Sequence, residues 1–427
     1  MNTGKKLLDD CFLHDKDRLR HDECLALILE RLAPVVAAEQ VAVARAGGRV
    51  LANPIAAPRD VPLHTNSAVD GYAFAQASLE ASGDTVLPVV SRIPAGSRFN
   101  GNVGKGQAAR IFTGAALPDG VDTVVMQEDC EVSPDGRHVT IPQGTRRGAN
   151  IRRAGEDLRE GDTVLEPGRF LQPQDVAAIA SLGMALVDVF RPVRVALVSS
   201  GDELVQPGAP IRHGQVYDSN RAMLAALAAS LPVTVTDLGA LADDAGAVSA
   251  ALAEAAAGHD LIITSGGASR GEEDHIVETI GRLGKRHLWQ IAIKPGRPMA
   301  MGQIGDCAVI GLPGNPVAAF VCFLLYVRPA VVALGGGHWR QPQRYPVPAG
   351  FSVPKKKPDR REFWRGWLET GEDGVPVARK FPRDGSGLIS GLRLATGLIE
   401  IGEDVTAVDE GDMVNYIPFG ELGINGS

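Results

Sequence analysis

The chain has 427 residues, too many for a single hydrophobic core, so several domains are expected. With 51 acidic against 43 basic residues the formal net charge is −8, which argues against nucleic acid as the main partner, because phosphate binding needs a basic face. The 5 cysteines are scattered and form no CxxC pair, which argues against a disulfide framework or a zinc knuckle and favours the reducing cytoplasm.

The first part of the chain predicts one helix followed by β structure. Apolar residues at helical spacing over residues 22–38 predict an amphipathic helix that stops near Pro34. From residue 41 to 171, short β-prone runs alternate with glycine and proline, which is typical of mostly β domains. A second helix follows, with Pro173 near its first turn and Gly183 at its end. The charged N-terminus lacks the apolar core of a signal peptide.

After Pro192, strands and helices alternate along the chain. The stretches VRVALVSS, PVTVTDL and DLIITSGG predict strands separated by helices, so we expect βαβ units on a mostly parallel sheet. A β pair follows (LWQIAIKPGRPMAMG with CAVIGL), and NPVAAFVCFLLYV predicts a buried helix that begins at Pro316. The apolar run at 317–327 is shorter than the roughly 20 residues that span a bilayer, so no membrane association is expected. The tail beyond GGGH predicts a small β barrel or sandwich.

Two loops of the α/β part lie where an open parallel sheet binds ligands, beyond the carboxyl ends of its strands. SSGDEL follows the first strand, and TSGGASRGEED follows the third. Glycine lets the backbone approach a phosphate, and the hydroxyls of Thr264, Ser265 and Ser269 can donate hydrogen bonds to it. A single GG turn is as typical of a tight strand-to-helix connection, but the two loops together favour an anion site.

Acidic residues directly follow the second glycine loop. Glu272 and Glu273 are most simply explained as first-turn residues that stabilise a helix dipole. Asp274 is a candidate Mg²⁺ ligand, because magnesium sites combine one or two carboxylates with substrate phosphates. Asp243 is most simply explained as a helix N-cap, with a functional role as the second interpretation.

Basic residues are concentrated in two further stretches. QIAIKPGRP places Lys294 and Arg297 across a proline–glycine turn, which suits a multiply charged anion, although a solvated β-turn has the same pattern. The run KKKPDRREFWRG is typical of a solvated loop, with local steering of anions as the second interpretation. In the front part, Asp70, Thr113 and Asp157 lie in loops whose glycines are typical of turns.

Together these stretches resemble the molybdopterin molybdenumtransferase (MoeA) family, and also the C-terminal domain of gephyrin. The resemblance extends from about residue 22 to 419, and its motifs are NSAVDGYA, RIFTGAALPDGVDTVVMQE, IRRAGEDLREGD, SSGDEL, YDSN, TSGGASRGEED, AIKPGRPMAMG and LPGNPVAAF. It implies insertion of molybdate into adenylylated molybdopterin with release of AMP, the last step of molybdenum cofactor synthesis. It also implies a homodimer whose active site lies between the molybdopterin-binding domain of one subunit and the NSAVDGYA domain of the other.

The resemblance implies a multidomain α/β plus β fold with four domains. A linker or dimerisation domain is expected at 22–56 and 148–191, and a β-rich domain carrying NSAVDGYA at 57–147. A molybdopterin-binding α/β domain with a mostly parallel sheet is expected at 192–335, and a small C-terminal β-barrel at 336–427. The N-terminal helix is expected to pack on the α/β domain. The expected partners are a molybdopterin adenylyltransferase and apo-molybdoenzymes, with no nucleic acid and no membrane.

Site residues follow from the family motifs position by position. The implied catalytic residues are Asp70, Thr113, Asp157, Glu203, Asp243 and Asp274. The glycine loops and the motif positions together predict a substrate-binding set of Ser200, Gly201, Ser265, Gly266, Gly267, Ser269, Lys294, Arg297, Pro313, Pro316, Arg365 and Ser386. The expected cofactor is Mg²⁺, held by Asp274, Glu203 and Asp243.

Two positions depart from the family pattern. Gln290 replaces a lysine that many relatives have four residues before Lys294, which removes one positive charge from the pocket. Arg297 replaces a lysine, and its planar fork can still hold an oxyanion. Two other functions stay open from the sequence: a molybdopterin adenylyltransferase, which leaves the front β domain and the tail without a purpose, and a non-catalytic dimeric scaffold.

Overall fold

The computed structural model describes residues 18–97, 99, 101–266 and 275–424. The chain forms two compact units. The large unit contains the residues up to Asn53, Pro167–Pro173 and the residues from Leu186 onward, and the small unit contains Pro54–Glu166 and Gln174–Ala185. The finer division into four domains stays a prediction.

The elements of the first part of the chain are mostly short strands. In chain order they are α1 (His21–Arg31), β1 (Ala38–Ala42), β2 (Ile55–Ala56), β3 (Asn66–Ser67), β4 (Gly71–Phe74), β5 (Thr85–Ile93), β6 (Ala108–Ile111), β7 (Thr123–Met126), β8 (Glu131–Val132), β9 (His138–Ile141), β10 (Ile151–Arg152), β11 (Thr163–Leu165), α2 (Pro173–Ser181) and β12 (Leu186–Phe190).

The second part of the chain alternates strands with helices and then returns to strands. In chain order its elements are β13 (Val193–Ser200), β14 (Leu204–Val205), β15 (Val216–Tyr217), α3 (Ser219–Ala228), β16 (Val233–Leu241), α4 (Ala245–Gly258), β17 (Leu261–Ser265), α5 (His275–Leu283), β18 (Lys285–Gln290), β19 (Ile293–Lys294), β20 (Pro298–Ile304), β21 (Cys307–Leu312), α6 (Pro316–Cys322), α7 (Arg328–Leu334), β22 (Tyr345–Pro348), β23 (Arg361–Thr370), β24 (Pro376–Lys380), α8 (Ile389–Leu394), β25 (Gly397–Ile401) and β26 (Met413–Pro418).

The N-terminal helix stops near Pro34, as predicted, although the apolar pattern continued to residue 38. It ends at Arg31, because Pro34 disfavours helical geometry in the residue before it, and Leu32 already has extended backbone angles. Its apolar face buries Cys24 and Ile28 in the same core cluster as strand β13. The helix therefore packs in the hydrophobic core of the large unit.

The small unit is built on one sheet with the strand order β7-β4-β6-β5-β9-β8. Alternate residues of β4 enter separate apolar clusters, with Tyr72 and Phe74 in one and Ala73 in the other, so both faces of the sheet are covered. A Cβ atom at Gly71 would collide with the carbonyl oxygen of Val125 on the neighbouring strand. Only glycine therefore fits next to Asp70, and this fixes the backbone of the NSAVDGYA loop.

The α/β fold predicted after Pro192 is confirmed. The sheet has the strand order β16-β13-β17-β21-β20-β18, in which β16, β13, β17 and β21 are parallel and β20 and β18 are antiparallel. Alternate residues of β13 enter clusters on opposite faces of the sheet: Leu197 in one and Val198 in the other. The cross-strand pairs of β13, β17 and β21 bring Ser199, Ser265 and Leu312 level, so three strands end at one edge.

The long apolar helix extends beyond its predicted end. Instead of stopping at residue 327, it runs from Pro316 to Leu334 through a π-helical turn at Phe323–Val327. The wider turn restarts the hydrogen-bond ladder, so Pro329 lies in the first turn of the next helical segment, where its missing N–H is tolerated. Among the described residues, this 19-residue helix is long and apolar enough to cross a membrane, but 89% of it is buried inside the protein. It forms the core of the large unit, as predicted.

The tail forms a second sheet of the large unit. Its strand order is β19-β23-β25-β26-β22, and β24 pairs with β23. One bridge between Ala349 and Ala378 joins the ends of this sheet, and closure into a barrel stays a prediction. Strand β19 comes from the preceding α/β part and pairs in parallel with β23, with Lys294 opposite Glu362. The pairing therefore carries residues of the KPGRP turn to the tail.

A buried carboxylate ties together the amino ends of the parallel strands. Asp260 is 6% exposed and accepts hydrogen bonds from Arg191 Nη1 at 2.6 Å and Arg194 Nη2 at 3.0 Å. Burial opposes ionisation of Asp260, but the bonds from the two guanidinium groups outweigh it and hold the pKa of this carboxyl well below its usual range.

We expect Asp260→Asn to lower the midpoint of thermal unfolding at pH 7.5, since it leaves two guanidinium groups without their counter-ion. A loss of about 2 kcal/mol corresponds to a shift of about 4–8 °C. Because the depressed pKa stabilises the fold only while Asp260 is ionised, the difference should narrow as pH falls below about 4. Asp306→Asn, at an exposed turn between β20 and β21, is the control. Equal midpoints for the two variants at pH 7.5 would contradict the assignment.

Candidate active site

A cleft of about 390 Å³ in the large unit gathers the basic residues that the sequence predicted as substrate-binding positions. Its wall includes Lys294, Arg297, Pro313, Arg365 and Ser386, which the sequence predicted as substrate-binding positions. Pro316 is the first residue of the adjoining helix α6, as predicted, and does not line the wall itself. Lys294 and Arg297 come from the KPGRP turn and Arg365 comes from β23, so the fold concentrates positive charge from two parts of the chain at one place.

Further cations line the same cleft and were not predicted. They are Arg18, Arg360 and Lys380, and among the described lining residues Asp384 supplies a carboxylate. Lys380 Nζ lies 2.7 Å from Asp384 Oδ1. Arg360 belongs to the basic run of the tail, but no sequence signal separates it from its neighbours. The excess of positive charge over negative charge suits a multiply charged anion.

The basic run of the tail is not the solvated loop that its composition favours. Lys356 is 4% exposed, and its ammonium group donates to the carbonyl oxygens of Arg360 at 2.8 Å and Glu403 at 3.3 Å. Arg361 forms ion pairs with Asp22, Glu400 and Glu403. The solvated-loop interpretation is therefore wrong for these residues, because their charges satisfy buried polar groups.

The segment 383–388, which carries Ser386, is held in place by hydrogen bonds from two sides. Arg365 donates from Nη1 to the carbonyl of Leu388 at 2.8 Å and from Nη2 to the carbonyl of Arg383 at 3.0 Å. The amide of Val317, in the first turn of α6, donates to the carbonyl of Ser386 at 2.9 Å. Arg365 therefore supports the shape of the cleft as well as its charge.

The residue that departs from the family pattern lies beside a cation of the cleft. Gln290 Oε1 accepts a hydrogen bond from Arg297 Nη2 at 3.3 Å. A lysine at this position would face the guanidinium with a like charge, whereas the glutamine carbonyl attracts it. The two departures of this chain, Gln290 and Arg297, therefore contact each other.

The carboxyl ends of β13 and β17 form a polar edge next to this cleft. Ser200 Oγ donates to Asp243 Oδ1 at 2.8 Å, and the amide of Asp243 donates to Asp202 Oδ1 at 3.0 Å. The N-cap interpretation of Asp243 is wrong: Asp244 caps helix α4 by accepting from the amide of Ala247 at 2.7 Å. The Asp243 side chain faces the first glycine loop instead.

That loop also brings the carboxylate of Glu203 to the edge. A Cβ atom at Gly201 would collide with the side chain of Glu203, which shows how closely this carboxylate approaches the backbone after β13. At the neighbouring loop, the amide of Gly266 donates to the carbonyl of Leu312 at 3.1 Å. Pro313, the next residue along, lines the cationic cleft, so the polar edge and the cleft adjoin within the large unit.

Asn220 links the second glycine loop to the LPGNP loop and was not among the predicted site residues. Its Nδ2 donates to Ser265 Oγ at 2.9 Å and to the carbonyl of Gly314 at 2.6 Å. Its buried Oδ1 has no hydrogen-bond partner among the described residues. The motif YDSN carried the signal, but Asn220 was given no role within it. This unsatisfied acceptor therefore lies where the second glycine loop meets the LPGNP loop.

Part of the second glycine loop lies outside the described residues. This applies to Gly267, Ser269 and Asp274, and to the helix-end acids Glu272 and Glu273. Their predicted roles therefore stay predictions. The described residues include no group of three or more His, Cys, Asp or Glu arranged to hold a metal ion. Asp243 and Glu203 still offer the carboxylate oxygens that Mg²⁺ prefers, and Mg²⁺ commonly completes its shell with substrate phosphates and water.

In the small unit, Asp70 and Thr113 form a pair. Asp70 Oδ1 accepts hydrogen bonds from both the amide and the hydroxyl of Thr113, each at 2.8 Å, and these bonds lower the pKa of the exposed Asp70 carboxyl from its usual value. Asp70 is therefore ionised at neutral pH. Asp157 is exposed in a separate loop, where its amide donates to the carbonyl of Val61 at 3.1 Å.

Comparison with known proteins covers nearly the whole chain. Three family models match: the MoeA N-terminal region (domain I and II) at residues 19–183, a probable molybdopterin binding domain at 196–333, and the MoeA C-terminal region (domain IV) at 347–419. The molybdopterin molybdenumtransferase of Haemophilus influenzae is 37% identical over 402 residues, which are 94% of this chain and 98% of that protein.

Other relatives agree with this match. Molybdopterin molybdenumtransferase 2 of Mycobacterium tuberculosis is 34% identical over 404 residues, covering 92% of this chain and 96% of that protein. The crystal structure of the molybdopterin biosynthesis protein MoeA of Pyrococcus horikoshii superimposes with a TM-score of 0.81 at 27% identity, covering 94% of this chain and 100% of that one. These findings confirm the predicted multidomain fold class. The chain belongs to the molybdopterin molybdenumtransferase (MoeA) family, transferases that insert molybdenum in molybdenum cofactor biosynthesis.

Proposed function

We propose that this chain inserts molybdate into adenylylated molybdopterin with release of AMP, and that the cationic cleft receives the molybdate. The observation that carries the proposal is the convergence of Lys294, Arg297, Arg365 and Ser386 on one cleft beside the carboxyl ends of the parallel strands. A compact dianion is neutralised most effectively by several cations held at fixed positions around it.

The polar edge supplies groups for the other substrate. Ser200 and Gly201 from the first loop, with Ser265 and Gly266 from the second, line this edge, where the two glycines let the phosphate and diphosphate of adenylylated molybdopterin approach the backbone. Ser265 Oγ accepts from Asn220 and has its own hydrogen to donate to a phosphate oxygen. Gly267 and Ser269 extend the second loop in the sequence. Pro313 bounds both the edge and the cleft, so a substrate bound along the edge extends toward the molybdate.

Mg²⁺ is the proposed cofactor, held by Asp274, Glu203 and Asp243. When bound, it neutralises phosphate charge and polarises the phosphoanhydride as a Lewis acid. The bond from Ser200 Oγ orients the Asp243 carboxylate, because it fixes one of its oxygens and leaves the other available. The described carboxylates supply two of the three proposed ligands.

We further propose a homodimer in the cytoplasm, with no membrane or nucleic-acid partner. In such a dimer, the pair of Asp70 and Thr113 from one subunit serves the substrate bound by the other, and Asp157 assists it. The ionised Asp70 carboxylate, held by Thr113, is suited to orienting water or a cation. A molybdopterin adenylyltransferase would supply the substrate, and apo-molybdoenzymes would receive the product.

The proposed reaction predicts a definite set of products. Purified protein incubated with adenylylated molybdopterin, Mg²⁺ and molybdate should release AMP, and the product should activate an apo-molybdoenzyme. Without molybdate, activation should fall to background. Formation of adenylylated molybdopterin with consumption of ATP would instead identify an adenylyltransferase, and no turnover at all would favour a scaffold.

The metal assignment predicts different behaviour for neighbouring acids. Asp274→Asn should reduce Mg²⁺-dependent AMP release by about 100-fold or more, because a ligand that neutralises developing charge contributes several kcal/mol. Glu273→Gln, at a proposed helix-end position, should keep turnover within about threefold of wild type, since a dipole contact contributes less than about 1 kcal/mol. Turnover and Mg²⁺ titrations of both variants check this. Full turnover by Asp274→Asn would remove its metal role.

A further inference from the structure

We infer that Glu362 is a positioning residue for the cationic cleft: a buried carboxylate that fixes Lys294 and Arg360 from behind the wall. The inference rests on the proposed function, in which the cleft receives molybdate. Glu362 itself does not line the cleft, whereas Lys294, Arg360 and Trp364 do. It therefore acts on an anion through the cations that it holds.

The contacts of Glu362 account for both of its oxygens. Oε1 accepts from Arg360 Nε at 2.9 Å and lies 2.8 Å from Arg360 Nη2. Oε2 accepts from Trp364 Nε1 at 2.9 Å and lies 3.6 Å from Lys294 Nζ. The residue is 2% exposed, so the carboxylate has exchanged water for these donors. Each donor is a side chain of the cleft wall.

Strand register explains how one carboxylate reaches these partners. Glu362 and Trp364 alternate along β23, so their side chains lie on one face, and Arg360 lies directly before the strand. Lys294 is the cross-strand partner of Glu362 in the parallel pair of β19 and β23. The pairing of the two backbones, rather than flexible side chains, therefore places Glu362 beside Lys294.

The charge balance shows why such a residue is needed. Lys294 and Arg360 point toward a cleft that also holds Arg297 and Arg365, and like charges at close range repel each other. The side chain of Lys294 is 44% exposed, so without a partner it has room to turn into solvent. A buried carboxylate behind it opposes that movement, since an ionised group at 2% exposure must itself remain paired.

Positioning and simple neutralisation predict opposite results for Glu362→Gln. If the carboxylate only offset charge, its removal would strengthen molybdate binding and leave kcat unchanged. If it positions the cations, kcat for molybdate insertion falls by about 10- to 100-fold because the oxyanion is misplaced, while KM for molybdate changes far less. Molybdate and sulfate are tetrahedral dianions of different size, so loosely held cations also lose preference between them.

The experiment measures kcat, KM and the ratio of dissociation constants for molybdate and sulfate, the last by equilibrium dialysis. The variants are Glu362→Gln and Glu362→Asp, the second of which keeps the charge and should recover part of kcat. The matched control is Glu369→Gln on the same strand. Glu369 also accepts hydrogen bonds from a tryptophan, Trp367 Nε1 at 2.8 Å, and from an arginine, Arg379 Nε at 2.9 Å. It does not line the cleft. It should behave like wild type.

Each outcome bears on a different statement. A lower kcat and a molybdate-to-sulfate ratio closer to one in Glu362→Gln, but not in the control, support the positioning role. Unchanged kcat, or an unchanged ratio, overturns it. If Glu362→Gln does not fold, the same two measurements on Glu362→Asp decide, because a shorter carboxylate cannot hold both cations at their distances. Wild-type protein that binds no molybdate overturns both the proposed function and this inference, whereas normal binding with unaffected variants overturns the inference alone.

Discussion

Burial of charge on strand β23 is the constraint on which the large unit depends. Arg361 forms ion pairs with Asp22 at the start of α1 and with Glu400 on β25, and therefore connects the N-terminal helix to the tail. The next residue, Glu362, holds the cations of the cleft. Because successive side chains of a strand point to opposite faces, two adjacent charges serve two separate networks. A shift of register by one residue would exchange their surroundings and expose each charge to the wrong partners.

The spacing of hydrophobic residues and the alternation of strands with helices made the α/β part predictable from the sequence. Strand β13 was predicted to its observed residues, and Gly201 and Gly266 directly follow β13 and β17 as expected. The cationic cleft was predictable only in pieces, because Lys294, Arg365 and Ser386 are far apart in the sequence and meet through the pairing of β19 with β23. Composition alone cannot distinguish a lysine such as Lys356, which bonds buried carbonyls, from a solvated one.

Sequence rules for where helices begin and end failed where the backbone of a single residue decides the boundary. Either aspartate at 243–244 can cap a helix, and the extended backbone of Asp244 selects it, which leaves Asp243 to accept from Ser200. The effect of a proline on a helix also depends on the local backbone. Pro34 follows the end of α1, but Pro329 does not end the long helix, since a π-helical turn before it restarts the hydrogen-bond ladder. Neither difference is visible in the hydrophobic pattern, and both follow from backbone hydrogen bonds.

We propose that cations and Ser386 around one cleft hold molybdate beside the strand ends that bind the nucleotide-linked pterin. Anomalous diffraction at the molybdenum absorption edge, on crystals soaked in molybdate, tests this placement. We expect a molybdenum peak inside the cleft, in contact with Lys294 and Ser386. An ordered molybdenum site found only elsewhere on the protein, with the cleft empty, would contradict it.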